Sequence, residues 1–106
     1  MRVNEHGYSL DDALGSVGPG WEAIIRELWA HKSDKIVVVQ VKEKFGGLRV
    51  YYNETIDELK PISEFEIALD AAEDTAERTC ETCGAPGEIV ENSRGWLKCG
   101  CPLHRD

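Results

Sequence analysis

Ile36-Val37-Val38-Val39-Gln40-Val41-Lys42-Glu43-Lys44-Phe45-Gly46-Gly47-Leu48-Arg49-Val50-Tyr51-Tyr52-Asn53 reads as two strands folded back on each other. The first arm is β-branched, the second mixes aromatic and branched residues, and Gly46-Gly47 between them is a two-residue turn signal. That turn pairs Phe45 with Leu48, Lys44 with Arg49, Glu43 with Val50 and Lys42 with Tyr51. Cross-strand partners share a face. The register therefore predicts Val39, Val41, Phe45, Leu48, Val50 and Tyr52 on the core side, with Glu43 the exception. Gln40, Lys42, Lys44, Arg49 and Tyr51 fall on the other side. Three cations and an aromatic ring there suit a phosphate or carboxylate ligand, or simply a solvated face that discourages edge pairing.

Toward the N-terminus, Trp21, Ile24, Ile25, Leu28 and Trp29 recur at i, i+3, i+4, i+7 and i+8, one apolar stripe of a helix ending near His31. A cation at that end suits the helix dipole, so His31 needs no catalytic role. Earlier still, Ser9 and Asp12 form a capping box for a short turn through Leu14. Gly15, Gly18, Pro19 and Gly20 then break the chain into a plain loop, lacking the Lys-Ser or Lys-Thr of a phosphate loop.

Toward the C-terminus, Asn53 to Lys60 is a linker. Pro61 opens a second long helix, with Ser63 and Glu66 as its capping box. Ile62, Phe65, Leu69, Ala72 and Ala76 give it a buried stripe. Gly87–Glu91 and Gly95–Lys98, joined at Asn92-Ser93-Arg94, read as a second, shorter hairpin. The expected fold is α+β: helix, β-hairpin, helix, then a small zinc-finger-like β-hairpin module. One hundred and six residues suit one domain over 1–106, with a body at 1–79 and a zinc-binding module at 80–106.

Charge narrows the function. Twelve basic and twenty acidic residues give −8, which argues against a mainly electrostatic nucleic-acid binder. No apolar run is long enough to span a membrane, and the first residues lack a signal-peptide pattern, so the host cytoplasm is the expected location. Between Pro61 and Thr79, Glu64, Glu66, Asp70, Glu73, Asp74 and Glu77 face only Arg78. This is either a solvated helix face or an acidic docking surface, or nucleic-acid mimic, whose field speeds encounter with a basic partner. Glu66, Asp70, Glu73 and Asp74 are the candidate contacts.

The cysteines carry the clearest chemistry. Cys80-Glu-Thr-Cys83, a gap of 17 residues, then Cys101-Pro-Leu-His104 supplies two ligand turns for a tetrahedral metal. The expected cofactor is structural Zn2+ on Cys80, Cys83, Cys101 and His104. A competing set replaces His104 by Cys99, which demands a cramped span of one residue between Cys99 and Cys101. A disulfide is disfavoured by the expected compartment. A redox Cys-x-x-Cys is disfavoured because the pair follows a helix instead of opening one. Four protein ligands leave no open coordination position, and the deaminase and His-Glu-x-x-His patterns are absent. The chain is therefore read as no enzyme.

Together, Val41-Lys42-Glu43-Lys44-Phe45-Gly46-Gly47-Leu48-Arg49-Val50-Tyr51, Thr79-Cys80-Glu81-Thr82-Cys83-Gly84-Ala85-Pro86-Gly87, Gly95-Trp96-Leu97 and Cys101-x-x-His104 resemble a family of small phage and prophage proteins. Gly20-Trp21 with Ile24-Ile25 extends the resemblance over most of residues 20–104. It implies zinc ligation by the paired C-x2-C and C-x2-H, with Cys99 a departure, and a small accessory phage protein. The expected function is an anti-CRISPR-like interaction protein that binds a host defence complex and inhibits or modulates it. The alternative is a zinc-ribbon adaptor in phage transcription or DNA handling, with Lys42, Lys44, Arg49 and Tyr51 touching nucleic acid.

Overall fold

The computed structural model describes residues 7–55 and 63–106; His6, Pro61 and Ile62 and the end of the linker lie outside them. In chain order the elements are α1 (Leu10–Leu14), a 3₁₀ turn (Pro19–Trp21), α2 (Glu22–Ala30), β1 (Ile36–Lys44), β2 (Gly47–Glu54), α3 (Glu64–Ala76), β3 (Glu88–Glu91) and β4 (Leu97–Gly100). The fold is α+β, with two separate antiparallel hairpins, β1–β2 and β3–β4. Among the described residues no helix is long and apolar enough to cross a membrane.

Local signals account for the starts of α1 and α3. The Ser9 hydroxyl accepts from the Asp12 N–H and the Asp12 carboxylate accepts from the Ser9 N–H, which closes the capping box of α1. At α3 the Ser63 hydroxyl accepts from the Glu66 N–H at 3.0 Å. Trp21, Ile25 and Leu28 from the first stripe, and Phe65, Leu69, Ala72 and Ala76 from the second, are buried against Ile36, Val38, Val41, Leu48 and Val50 of the large hairpin. Each large side chain so buried contributes roughly 1.5–3 kcal/mol. Tyr52 meets Phe65 edge-on with centroids 4.9 Å apart, which ties β2 to α3.

The hairpin turn differs from the expected one. Lys44 pairs with Gly47, Glu43 with Leu48, Lys42 with Arg49 and Val41 with Val50. The turn residues are thus Phe45 and Gly46, with φ of 55° and 85°; Gly47 is the first residue of β2. Two contacts select this turn. The Glu43 carboxylate accepts the Gly46 N–H, and a Cβ on Gly46 would stand 2.9 Å from the Ile89 side chain, so a glycine must occupy the point of contact with β3. Phe45 is consequently exposed instead of buried. The irregularity between Val38 and Gln40 leaves Val39 without a cross-strand partner, and Val38 takes the core position assigned to it. The pairing moved by one residue on each strand, so the parity of the faces survived. Val41, Leu48 and Val50 remain inside, and Gln40, Lys42, Lys44, Arg49 and Tyr51 remain opposite.

Candidate metal centre

Two chain reversals deliver the candidate ligands. The first follows α3 directly: the Cys80 N–H donates to the Ala85 carbonyl and the Gly84 N–H to the Cys80 carbonyl, with Gly84 at φ 84°. A left-handed residue closes this knuckle, and glycine takes that conformation without the Cβ clash. The second follows β4, where the His104 N–H donates to the Cys101 carbonyl. The β3–β4 hairpin returns the chain to its starting point, and the Glu81 N–H donates to the Cys99 carbonyl across the gap. Beyond the hairpin, the Asp106 carboxylate accepts both the Ser93 N–H and hydroxyl, and Arg105 pairs with Glu88, fastening the last residues over β3.

The result brings one donor atom each from Cys80, Cys83, Cys101 and His104 within 4.8 Å of one another, close enough to hold a metal ion. Cys83 Sγ lies 3.7 Å from Cys101 Sγ, and His104 Nδ1 lies 3.7 Å from Cys80 Sγ and 3.2 Å from Cys101 Sγ. Sulfurs bound at about 2.3 Å to a tetrahedral metal stand about 3.8 Å apart, so the cluster already has the dimensions of a coordination sphere. Burial pushes the Cys80 thiol up, but N–H groups of Cys101, Cys83 and Thr82 outweigh it and bring it to about 6. The Ala85 N–H lowers the Cys83 thiol, but burial and the neighbouring Cys101 and Cys80 sulfurs together outweigh it and leave that thiol raised. A thiolate is the form a metal binds, and Cys80 is predisposed to it.

Cys99 is directed elsewhere. Its thiol is buried and shared among the carbonyls of Ala76, Glu77 and Thr79 at 3.1–3.4 Å, at the end of α3. The Ala76 carbonyl also accepts the Thr79 N–H and the Thr79 carbonyl the Trp21 indole N–H, so the thiol adds a buried donor to a chain turn that is already hydrogen-bonded. Burial raises the thiol's pKa, consistent with an S–H donor. The competing ligand set containing Cys99 is therefore not the one the geometry assembles.

The segment read as a plain loop turns out to support the centre. The Gly18 N–H donates to the Glu81 carboxylate at 2.9 Å, the Gly20 N–H to the Glu81 carbonyl at 2.7 Å, and the Trp21 indole N–H to the Thr79 carbonyl at 2.9 Å. A Cβ on Gly20 would fall 2.0 Å from the Cys80 carbonyl oxygen, which shows how closely the two backbones approach. Glycine flanking a tryptophan was the available signal; nothing local identified the knuckle as its partner.

The remaining candidate residues form two faces. Glu66, Asp70 and Asp74 are exposed on α3, and Glu73 is half-buried, its carboxyl raised by burial against the opposing field of Arg49. Lys42, Lys44, Arg49 and Tyr51 share the outer face of β1–β2. Compared with protein-family models, curated proteins and solved structures, the chain finds no match.

Proposed function

We propose that this is a non-catalytic, zinc-stabilised interaction protein that binds a protein partner, in keeping with a phage accessory protein that inhibits or modulates a host defence complex. The observation that carries the reading is the closed set of four donors at tetrahedral spacing. Three thiolates and an imidazole favour zinc over hard cations, and four protein ligands leave no position for a reactive water. Such a metal supplies folding energy and holds a surface in shape. The acidic face of α3, which leads directly into the ligand knuckle, is the proposed docking surface for a basic partner.

The test is affinity capture of a defence complex from host lysate, identified by mass spectrometry. Reversing Glu66, Asp70, Glu73 and Asp74 to Lys should reduce capture with metal content and folding unchanged. Reversing Lys42, Lys44 and Arg49 to Glu should matter less. Capture lost in the second variant and retained in the first overturns the assignment of the surface.

A further inference from the structure

The tip of the large hairpin is built against local preference. A turn with positive φ at both central residues favours Asn, Asp or Gly at the first, yet that position is Phe45, at φ 55°. Contact with Ile89 explains why glycine stands at 46. Burial does not explain an aromatic ring at 45, since Phe45 is 66% exposed; its ring meets the Lys44 ammonium, with Nζ 5.5 Å from the centroid. Strain held at an exposed, bulky residue points outward, to a ligand.

The surrounding surface indicates which ligand. Lys42 Nζ stands 5.5 Å from the ring of Tyr51, itself 42% exposed. Lys42 is opposite Arg49 and Lys44 opposite Gly47, so the three cations and Tyr51 share one face of the sheet. The strand positions of this face carry no carboxylate, although the chain holds twenty acidic residues. Glu43 lies on the other face, and from α3 the Glu73 carboxyl feels the charge of Arg49. The occupant must be anionic and must present flat rings.

We propose that the outer face of β1–β2, with the Phe45 tip, binds single-stranded nucleic acid. Bases stack on Phe45 and Tyr51, and phosphates lie along Lys42, Lys44 and Arg49. An acidic peptide would satisfy the cations but leave both rings unused, and a duplex keeps its base faces covered. This ligand is separate from the protein partner of α3, so either assignment can fail without the other.

Fluorescence anisotropy of a labelled oligothymidylate with the full-length, zinc-loaded protein tests the proposal, with the matching duplex and a polyglutamate peptide as comparison probes. Three phosphate contacts predict about a 20-fold loss of affinity between about 50 and 200 mM salt. Tyr51→Ala should weaken binding about 5-fold or more, as loss of one stacked base does. Phe45→Asn is the sharper variant, because Asn tolerates the left-handed conformation: binding should fall by a similar factor while the denaturation midpoint rises. No binding at low salt, equal binding of the peptide or the duplex, or unchanged affinity in Phe45→Asn overturns the proposal. So does a lower denaturation midpoint in Phe45→Asn, which makes the ring structural.

Discussion

Gly20→Ala adds one methyl group, and the structure makes it a severe change. The new Cβ would lie 2.0 Å from the Cys80 carbonyl oxygen and 2.5 Å from the Gly84 nitrogen, both backbone atoms of the ligand knuckle. Neither retreats by a rotamer change, so the 18–21 segment and the knuckle must separate by an ångström or more. Separation of that order breaks the bonds from the Gly18 and Gly20 N–H groups to Glu81 and from the Trp21 indole to Thr79. Three such bonds at about 1 kcal/mol each, with about 2 kcal/mol of overpacking, give a loss of about 5 kcal/mol. Total stabilities of small domains are about 5–15 kcal/mol, so the variant should sit at the edge of folding. Urea denaturation followed by tryptophan fluorescence should show the midpoint lowered by about 2 M or more, with zinc surrendered to a weaker chelator. Gly15→Ala is the control, since its nearest neighbour would be 3.4 Å away and its φ is −77°. A Gly20→Ala midpoint equal to that of the control would refute the clamp.

Cys99→Ser should retain the metal, whereas Cys80→Ser, Cys83→Ser, Cys101→Ser and His104→Ala should each lose it on dialysis; the opposite behaviour of Cys99 and His104 would restore the competing ligand set. Gly46→Ala should cost about 1–3 kcal/mol, having both φ 85° and Ile89 at 2.9 Å, while Gly47→Ala, facing only the Arg49 side chain within 3.4 Å, should be nearly neutral. Thermal melts that rank them the other way would contradict the observed turn. His31 joins the end of α2 to Glu64 at the start of α3, and the hydrogen bonds that its ring donates to the Glu64 and Glu27 carboxylates raise its pKa. A raised folded pKa means its stabilisation is complete below about 6.5, the unfolded value, and is lost as pH rises through the folded pKa. His31→Gln should remove that slope from melting temperatures taken across neutral pH, and an unchanged slope would assign it to another group.

The parts of the molecule written in short-range pattern were legible in the sequence. Both stripes follow helical spacing: Trp21, Ile25 and Leu28 are buried with Ile24 and Trp29 packed half-buried beside them, and Phe65, Leu69, Ala72 and Ala76 are buried. The C-x2-C and C-x2-H turns declared the four clustered donors, because ligand spacing is itself a local property. What failed depended on contacts distant in sequence. Gly46-Gly47 was the better turn on local grounds, but docking of Gly46 on Ile89 shifted the turn onto Phe45. The face assignment survived because the pairing moved by one residue on both strands, which preserves alternation. Val39 lost its place to an irregularity that no local signal marks. Likewise, the glycines at 18 and 20 read as a loop because their purpose is contact with Glu81, far along the chain.

X-ray absorption at the zinc edge, on reduced protein purified without chelator, reads the ligand set itself. One zinc per chain is expected, with three sulfurs at about 2.3 Å and one nitrogen at about 2.0–2.1 Å. A chain without stoichiometric zinc, a shell of four sulfurs, or a bound water in place of a protein donor would contradict it.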